Sequence, residues 1–394
     1  MDARGLAAVM GDDGRGFGVY VHVPFCRRRC DYCAFATWTD KDHLWERYVA
    51  ACRAEAAGLA GPVGTRGPLD ARGPATSVFF GGGTPSLLPA EMIAGILDGL
   101  RQTVGVTAGA EVTVECNPET VSAAQLAQYK ASGVTRLSFG AQSMVPHVLE
   151  ALGRQHDPVS VKRAAGLAGE AGFAGAYNVD LIFGAAGETM ADWLASLSQV
   201  VALEPPPAHI SAYALTVEPG TPLAAQPARH PSDDDQAEKY LLADKVLADA
   251  GFGWYEISNW ALPGARCAHN LLYWSQGEYR GIGCAAHSHT VFPDGSARRW
   301  WNVRTPERYC RLVETGAALE AAGETLGPEQ RAWEQLVLSL RTSRGVPAVC
   351  VADDLYEAGL LELQVDRATA VLTPKGRLLA NEVAIKLDKP VFPH

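Results

Sequence analysis

Six short apolar runs, each followed by a stretch of helical length, fill the first 215 residues and constrain the fold more than any other feature. The runs are residues 18–25 (GVYVHVPF), 76–80 (TSVFF), 111–115 (EVTVE), 135–139 (TRLSF), 177–183 (YNVDLIF) and 209–215 (HISAYAL). Runs of this length, rich in β-branched and aromatic residues, read as strands. Between them, segments 89–104, 122–132, 159–171 and 190–203 are rich in alanine and leucine and have helical periodicity. Strand alternating with helix implies right-handed βαβ units and a parallel sheet. The polar and glycine-bearing motifs fall directly after these strands, at 26–33, 81–84, 115–117, 142–143 and 184. Barrels and open α/β sheets place their sites at strand C-terminal ends, so the expectation is a partial (β/α)6 barrel, two units short of a closed one.

After Thr216 the rhythm breaks. A proline-rich, acidic stretch at 218–235 leads to a helical segment at 236–250 and a region crowded with aromatics, Trp254 to Trp301. Residues 329–340 read as helix, 342–347 as turn, 348–358 as helix and 361–372 as a short β-ribbon, a small helical or winged α+β module. The expected organisation is a tail at 1–17, the barrel at 18–217, an aromatic-rich extension at 218–325 and the small domain at 326–394. The Gly- and Pro-rich stretch 58–74 reads as a surface insertion.

A formal charge of −10 on 394 residues argues against a protein that works by gripping phosphates of nucleic acid or anionic lipid. The first 18 residues lack the basic and apolar regions of a signal peptide, and no window approaches a membrane span. The expectation is a soluble protein of the reducing cytosol. There nine scattered cysteines are no disulfide framework, and clustered ones hold metal or do redox work.

Three of the nine stand together as Cys26-x-x-x-Cys30-x-x-Cys33 on a loop after the first strand. A structural zinc site wants four ligands, and the next cysteine, Cys52, is 19 residues on. A thioredoxin-type disulfide would use Cys30 and Cys33 and leave Cys26 without a role. An iron–sulfur cluster held by three thiolates would keep one iron open to an exogenous ligand. Gly81-Gly82-Gly83-Thr84-Pro85 follows a strand without the lysine of a phosphate loop; alone it is a tight turn. Glu115, Gln142, Arg154 and Asp180 are each, singly, a cap or a buried ion-pair partner. Together at successive strand ends they present acceptors for ribose hydroxyls and a cation for a carboxylate.

As a set, these motifs resemble the radical S-adenosylmethionine superfamily. The resemblance spans nearly the whole chain, from Tyr20 to the segment Leu372-Thr373-Pro374-Lys375-Gly376-Arg377. It implies a [4Fe–4S] cluster on Cys26, Cys30 and Cys33. It also implies S-adenosylmethionine against Tyr20, Tyr32, Gly82, Gly83, Thr84, Glu115, Gln142, Arg154, Asp180, Ala214 and His287. Within the subgroup that contains oxygen-independent coproporphyrinogen III dehydrogenase, that enzyme carries a further cysteine two residues after the triad and a longer N-terminal segment. Here Phe35 takes that position and 25 residues precede Cys26, which favours the HemW-type heme chaperones.

His269-Asn270-Leu271-Leu272-Tyr273-Trp274 looks like the HNxxYW heme motif of those chaperones. The likeness implies heme at His269, Asn270 and Tyr273. On a helix His269 and Tyr273 share one face; alone, such a histidine reads as buried core. His287 and His289 are further candidates, and Cys267 is an alternative soft ligand. The nine aromatics between Trp254 and Trp301 could wall a porphyrin or fill a core. The family expectation is a cytoplasmic protein that carries heme to acceptor heme proteins, with no nucleic-acid partner, no membrane span and a homodimer possible. The rival is a radical enzyme acting on a porphyrinogen or other substrate.

Overall fold

A computed structural model describes residues 16–59 and 73–388; the tail and the insertion at 58–74 lie almost wholly outside them. All six expected strands form: β1 (Phe17–Val23), β2 (Ala75–Gly82), β3 (Val106–Cys116), β4 (Arg136–Gln142), β5 (Tyr177–Phe183) and β6 (His209–Ala214). They lie side by side in chain order, each parallel to the next. Strands buried on both faces read as near-continuous apolar runs, and β5 is buried at every position but Asp180.

The register sorts the side chains. Val78, Phe80, Val112 and Val114 point outward and share one core with Ile93, Leu97 and Leu100 of α2 (Ala90–Thr103). The alternate set faces inward: Tyr20 pairs with Phe79, which pairs with Thr113, and further around Glu115 with Ser138, Asn178 and His209. Outer helices start where side chains satisfy free N–H groups. Ser122 caps α3 (Ala123–Ala131), Asp157 caps a helix at Pro158–Glu170, and Thr189 with Asp192 forms a capping box on Met190–Val201.

The segment after Thr216 extends the same sheet at both edges. β7 (Gly253–Glu256) and β8 (Asn259–Ala261) join antiparallel beyond β6. At the far edge β9 (Glu278–Ile282) lies parallel to β1, followed antiparallel by β10 (His287–Val291), β11 (Ala297–Asn302) and β12 (Glu320–Leu326), giving twelve strands. The aromatics divide accordingly. Tyr255 and Trp260 are core, whereas Tyr273, Tyr279 and Trp301 remain partly exposed.

The last unit has its own core around Leu336, Leu340, Leu355, Leu372 and Val383. The expected ribbon is a three-stranded antiparallel sheet, β14 (Leu361–Leu363) and β13 (Val346–Pro347) flanking β15 (Thr369–Leu372). The helix expected at 348–358 is instead a 3-10 turn, Ala348–Cys350, and a helix at Asp353–Glu357, separated by extended backbone at Val351 and Ala352. Arg377 lies 3.7 Å from the Trp254 ring and donates to Asp244 at 2.7 Å, which ties this unit to the sheet edge. Among the described residues no helix is long and apolar enough to cross a membrane.

Candidate functional site

The cysteine loop is closed at its base: Cys26 N–H donates to Trp38 O at 3.0 Å and Trp38 N–H to Pro24 O at 2.8 Å. Between these pins the chain returns on itself, Cys33 N–H bonding Cys30 O at 3.2 Å and Arg29 donating to Cys33 O at 3.3 Å. All three cysteines are half-buried and free. Thr84 Oγ1 donates to Cys26 Sγ at 3.7 Å, and Arg154 Nη1 to Cys30 Sγ at 3.5 Å. Burial pushes the Cys26 thiol up to about 11, so a metal must displace a firmly held proton. Three thiols on one short loop suit a cluster, whose irons each take a separate ligand, whereas a closed zinc site would want a fourth.

The thiols open on a cavity of ≈ 610 Å³ over the C-terminal ends of the strands, within the range of small-molecule sites. Its wall brings together Tyr32, Gly82, Gly83, Thr84, Glu115, Gln142, Arg154, Asp180 and Ala214, all expected for S-adenosylmethionine. Glu115 accepts from Gly82 N–H at 3.1 Å and is pushed up to about 8, first by burial and then by Asp180. Asp180 accepts from Ser138 at 2.9 Å and Asn178 at 2.8 Å, and burial raises it too. Both carboxyl groups face inward, and Glu115, holding its proton at neutral pH, can donate to a ligand hydroxyl as well as accept from one. Arg154 is held by Asn117 Oδ1 at 3.1 Å and Gly140 O at 3.0 Å. Gln142 sits at φ 62, the left-handed region a side chain rarely adopts, where β4 bulges against β5.

The glycine run has a second reason to exist. A Cβ on Gly82 (φ 111) would lie 2.4 Å from the His22 ring, and one on Gly83 2.6 Å from Phe25 O. The motif is packed against the end of β1 as well as facing the cavity.

Tyr20 and His287 are not on that wall. Tyr20 stacks on Phe79 and bonds His22 Nδ1 at 3.1 Å, one step further down the lumen. His287 stands exposed on β10, stacked on Trp301.

The HNxxYW segment forms a short helix, Ala268–Trp274, that seals the opposite, N-terminal mouth of the barrel. Glu111 of β3 caps it, accepting from Ala268 N–H at 3.1 Å and His269 N–H at 3.0 Å. His269 is 1% exposed, stacked on Phe79; Nδ1 bonds Ser77 Oγ and Nε2 bonds Tyr273 Oη, both at 2.9 Å. Burial lowers it to about 3, a neutral ring with both nitrogens occupied. No nitrogen of His269 is open to iron, so heme does not fit this residue as the fold holds it. Asn270 donates to Tyr255 Oη and Glu256 Oε1, both at 3.2 Å. Cys267 donates to Glu111 at 3.3 Å, and His289 bonds Gly277 O at 2.8 Å.

Sequence reading did not single out the polar chain joining the two ends. Asp180 bonds Asn178, Asn178 bonds His209 at 2.6 Å, His209 bonds Tyr255 at 2.8 Å, and Tyr255 bonds Asn270. Each of the strand members occupies an inward, alternate position, and that period-2 pattern was the available signal. Buried Lys239 was also missed: it bonds Glu188 O and Asp235 at 2.7 Å, while Glu188 accepts from Gly184 N–H and fixes the loop after β5.

A parallel partial barrel with a three-cysteine loop at its C-terminal mouth defines a radical S-adenosylmethionine protein. Residues 20–200 match the model of the Radical SAM superfamily. The chain is 41% identical over 389 residues to a Mycobacterium tuberculosis protein named Heme chaperone HemW, covering 94% of each. It is 37% identical over 306 residues to the Escherichia coli protein of that name, covering 77% of this chain and 78% of the other. Its fold matches the solved coproporphyrinogen III oxidase (HemN) of Escherichia coli with a TM-score of 0.78 over 98% of this chain and 93% of that one, at 23% identity. The chain belongs to the HemW heme chaperone family within the radical S-adenosylmethionine superfamily.

Proposed function

We propose that the chain binds heme and passes it to acceptor heme proteins in the cytoplasm, using a [4Fe–4S] cluster and S-adenosylmethionine. The observation that carries this reading is the match, along 94% of both chains, to a relative named for that activity. The site agrees: where the dehydrogenase has a further cysteine, Phe35 stands 67% exposed on the cavity wall.

Cys26, Cys30 and Cys33 hold the cluster, which when bound supplies an open iron and single-electron chemistry. Arg154, beside Cys30, places a cation for a ligand carboxylate. Gly82 to Thr84 line the cavity close to Cys26, and Glu115 and Asp180 accept hydroxyl hydrogen bonds from the depth of the cavity. Tyr32, packed on the Ile182 and Leu215 cluster, closes one side with an apolar surface.

Anaerobically reconstituted protein titrated with hemin, then mixed with an apo-heme protein, tests this. Saturable binding followed by transfer is the expected result, without porphyrinogen-dependent 5′-deoxyadenosine. Absence of hemin binding, or porphyrinogen-dependent turnover, overturns it.

A further inference from the structure

The motif that resemblance marks for heme has its imidazole locked away, and the other described histidines differ in what they leave free for iron. His22 is buried, its nitrogens on Ala36 O (2.9 Å) and Tyr20 Oη (3.1 Å). His156, His209 and His289 are buried and bonded to Ala141 O, Asn178 and Gly277 O. The exposed ones differ. His230 bonds Leu223 O at 3.1 Å, and His147 pairs with Asp192 at 3.3 Å. His43 sits on a 3-10 turn, Asp42–Leu44, with no aromatic ring against it among the described residues.

His287 combines what the others lack. It is exposed, its ring nitrogens make no hydrogen bond to any described residue, and its ring lies stacked on Trp301, centroids 5.3 Å apart at 23°. The strand pairing explains the contact: His287 lies directly opposite Trp301 across β10 and β11. An axial imidazole stands perpendicular to the porphyrin plane. A Trp ring parallel to that imidazole would fix its rotation and present its own edge to the macrocycle.

The surroundings suit an anionic porphyrin. Arg304 is exposed and makes no ion pair with any described residue. Ala285 N–H donates to Val303 O at 2.9 Å and Asn302 N–H to Ala286 O at 3.0 Å, which brings the segment that carries Arg304 beside the turn leading into His287. His22 touches Ala36, the neighbour of exposed Phe35, and fills the space beside Gly82. The turn from Gly283 to Ala286 packs on the end of β1, where a Cβ on Gly283 would lie 2.8 Å from His22 O, so His287 stands on the β1 side of the C-terminal mouth, off the cavity wall itself.

Resting on the heme-carrier reading, we infer that His287, not His269, is the axial ligand to heme iron, with Trp301 orienting the imidazole and Arg304 facing a propionate.

Hemin titration of the full-length, cluster-loaded protein under anaerobic conditions, read by the Soret band, tests this with His287→Ala, His287→Gln and His269→Gln. Both His287 variants should weaken hemin binding by roughly tenfold or more and lose the histidine-ligated Soret position, and added imidazole should restore that position. His269→Gln should keep the wild-type Soret position while melting earlier. Wild-type affinity and spectrum in both His287 variants would overturn the inference and leave the heme reading standing, as would a failure of imidazole to restore the band. A wild type that binds no hemin would remove both.

Discussion

The two mouths of the barrel are made by the same strands, roughly 17 Å apart along β2 from Ser77 to Gly82, yet they treat polar groups in opposite ways. At the N-terminal mouth every polar atom named above has a protein partner: Glu111 caps the HNxxYW helix, His269 is bonded at both nitrogens and Asn270 reaches Tyr255 and Glu256. At the C-terminal mouth three thiols, two raised carboxylates and the strained Gln142 face a cavity. Groups sealed among protein partners stabilise a fold, whereas groups that still face a cavity beyond their protein bonds mark where a ligand completes the structure. A motif shared with a family can thus be structural at one end and ligand-directed at the other.

The contrast is broken most severely at the open mouth by Cys30→Ser. The loop is closed by the backbone bonds of Cys26 and Trp38, so the variant should fold with a melting temperature close to that of the wild-type apoprotein while losing cluster absorbance and iron outright. A large drop in apoprotein Tm would show that the thiols hold the fold.

At the closed mouth the expectation reverses. His269→Ala strands Ser77 Oγ and Tyr273 Oη and empties a site stacked on Phe79. A cost of about 3 kcal/mol follows from a cavity plus unsatisfied partners, with iron content retained. Denaturant unfolding together with iron analysis separates the two ends.

Much of the open mouth was legible in the sequence because it is local. A strand of apolar residues followed by CxxxCxxC, GGGTP or Glu-Cys-Asn carries its own position; Glu115 and Gln142 follow from strand ends, and Asp180 is the one polar break in the apolar half of β5. The closed mouth was not legible. That Ala268–Trp274 returns to cap strands begun some 190 residues earlier depends on packing between Glu111, Arg136 and Ala265, which no local pattern announces. The same holds for β9 beside β1, whereas the facing of His287 and Trp301 comes from the local antiparallel pairing of β10 with β11. The HNxxYW spacing correctly put His269 and Tyr273 on one helical face. What spacing could not show is that they bond each other.

The smallest expected effect tests how tightly the closed mouth is sealed. Glu256 is 2% exposed, accepts from Asn259, Asn270 and Ser258 N–H, and is raised from 4.5 to about 7, chiefly by burial. The folded chain therefore keeps a proton that the unfolded chain releases above about 4.5. That contribution is complete below 4.5 and is lost as pH rises towards 7, at no more than about 1.4 kcal/mol per pH unit. Glu115 and Asp180 slope in the same direction, so the quantity to read is the difference between wild type and Glu256→Gln. The variant starts less stable, because an amide NH2 now faces donors, but its melting temperature should fall less steeply between pH 5 and 7, by about two degrees per unit. Parallel slopes would mean that water reaches Glu256, and that the N-terminal mouth is as open as the other.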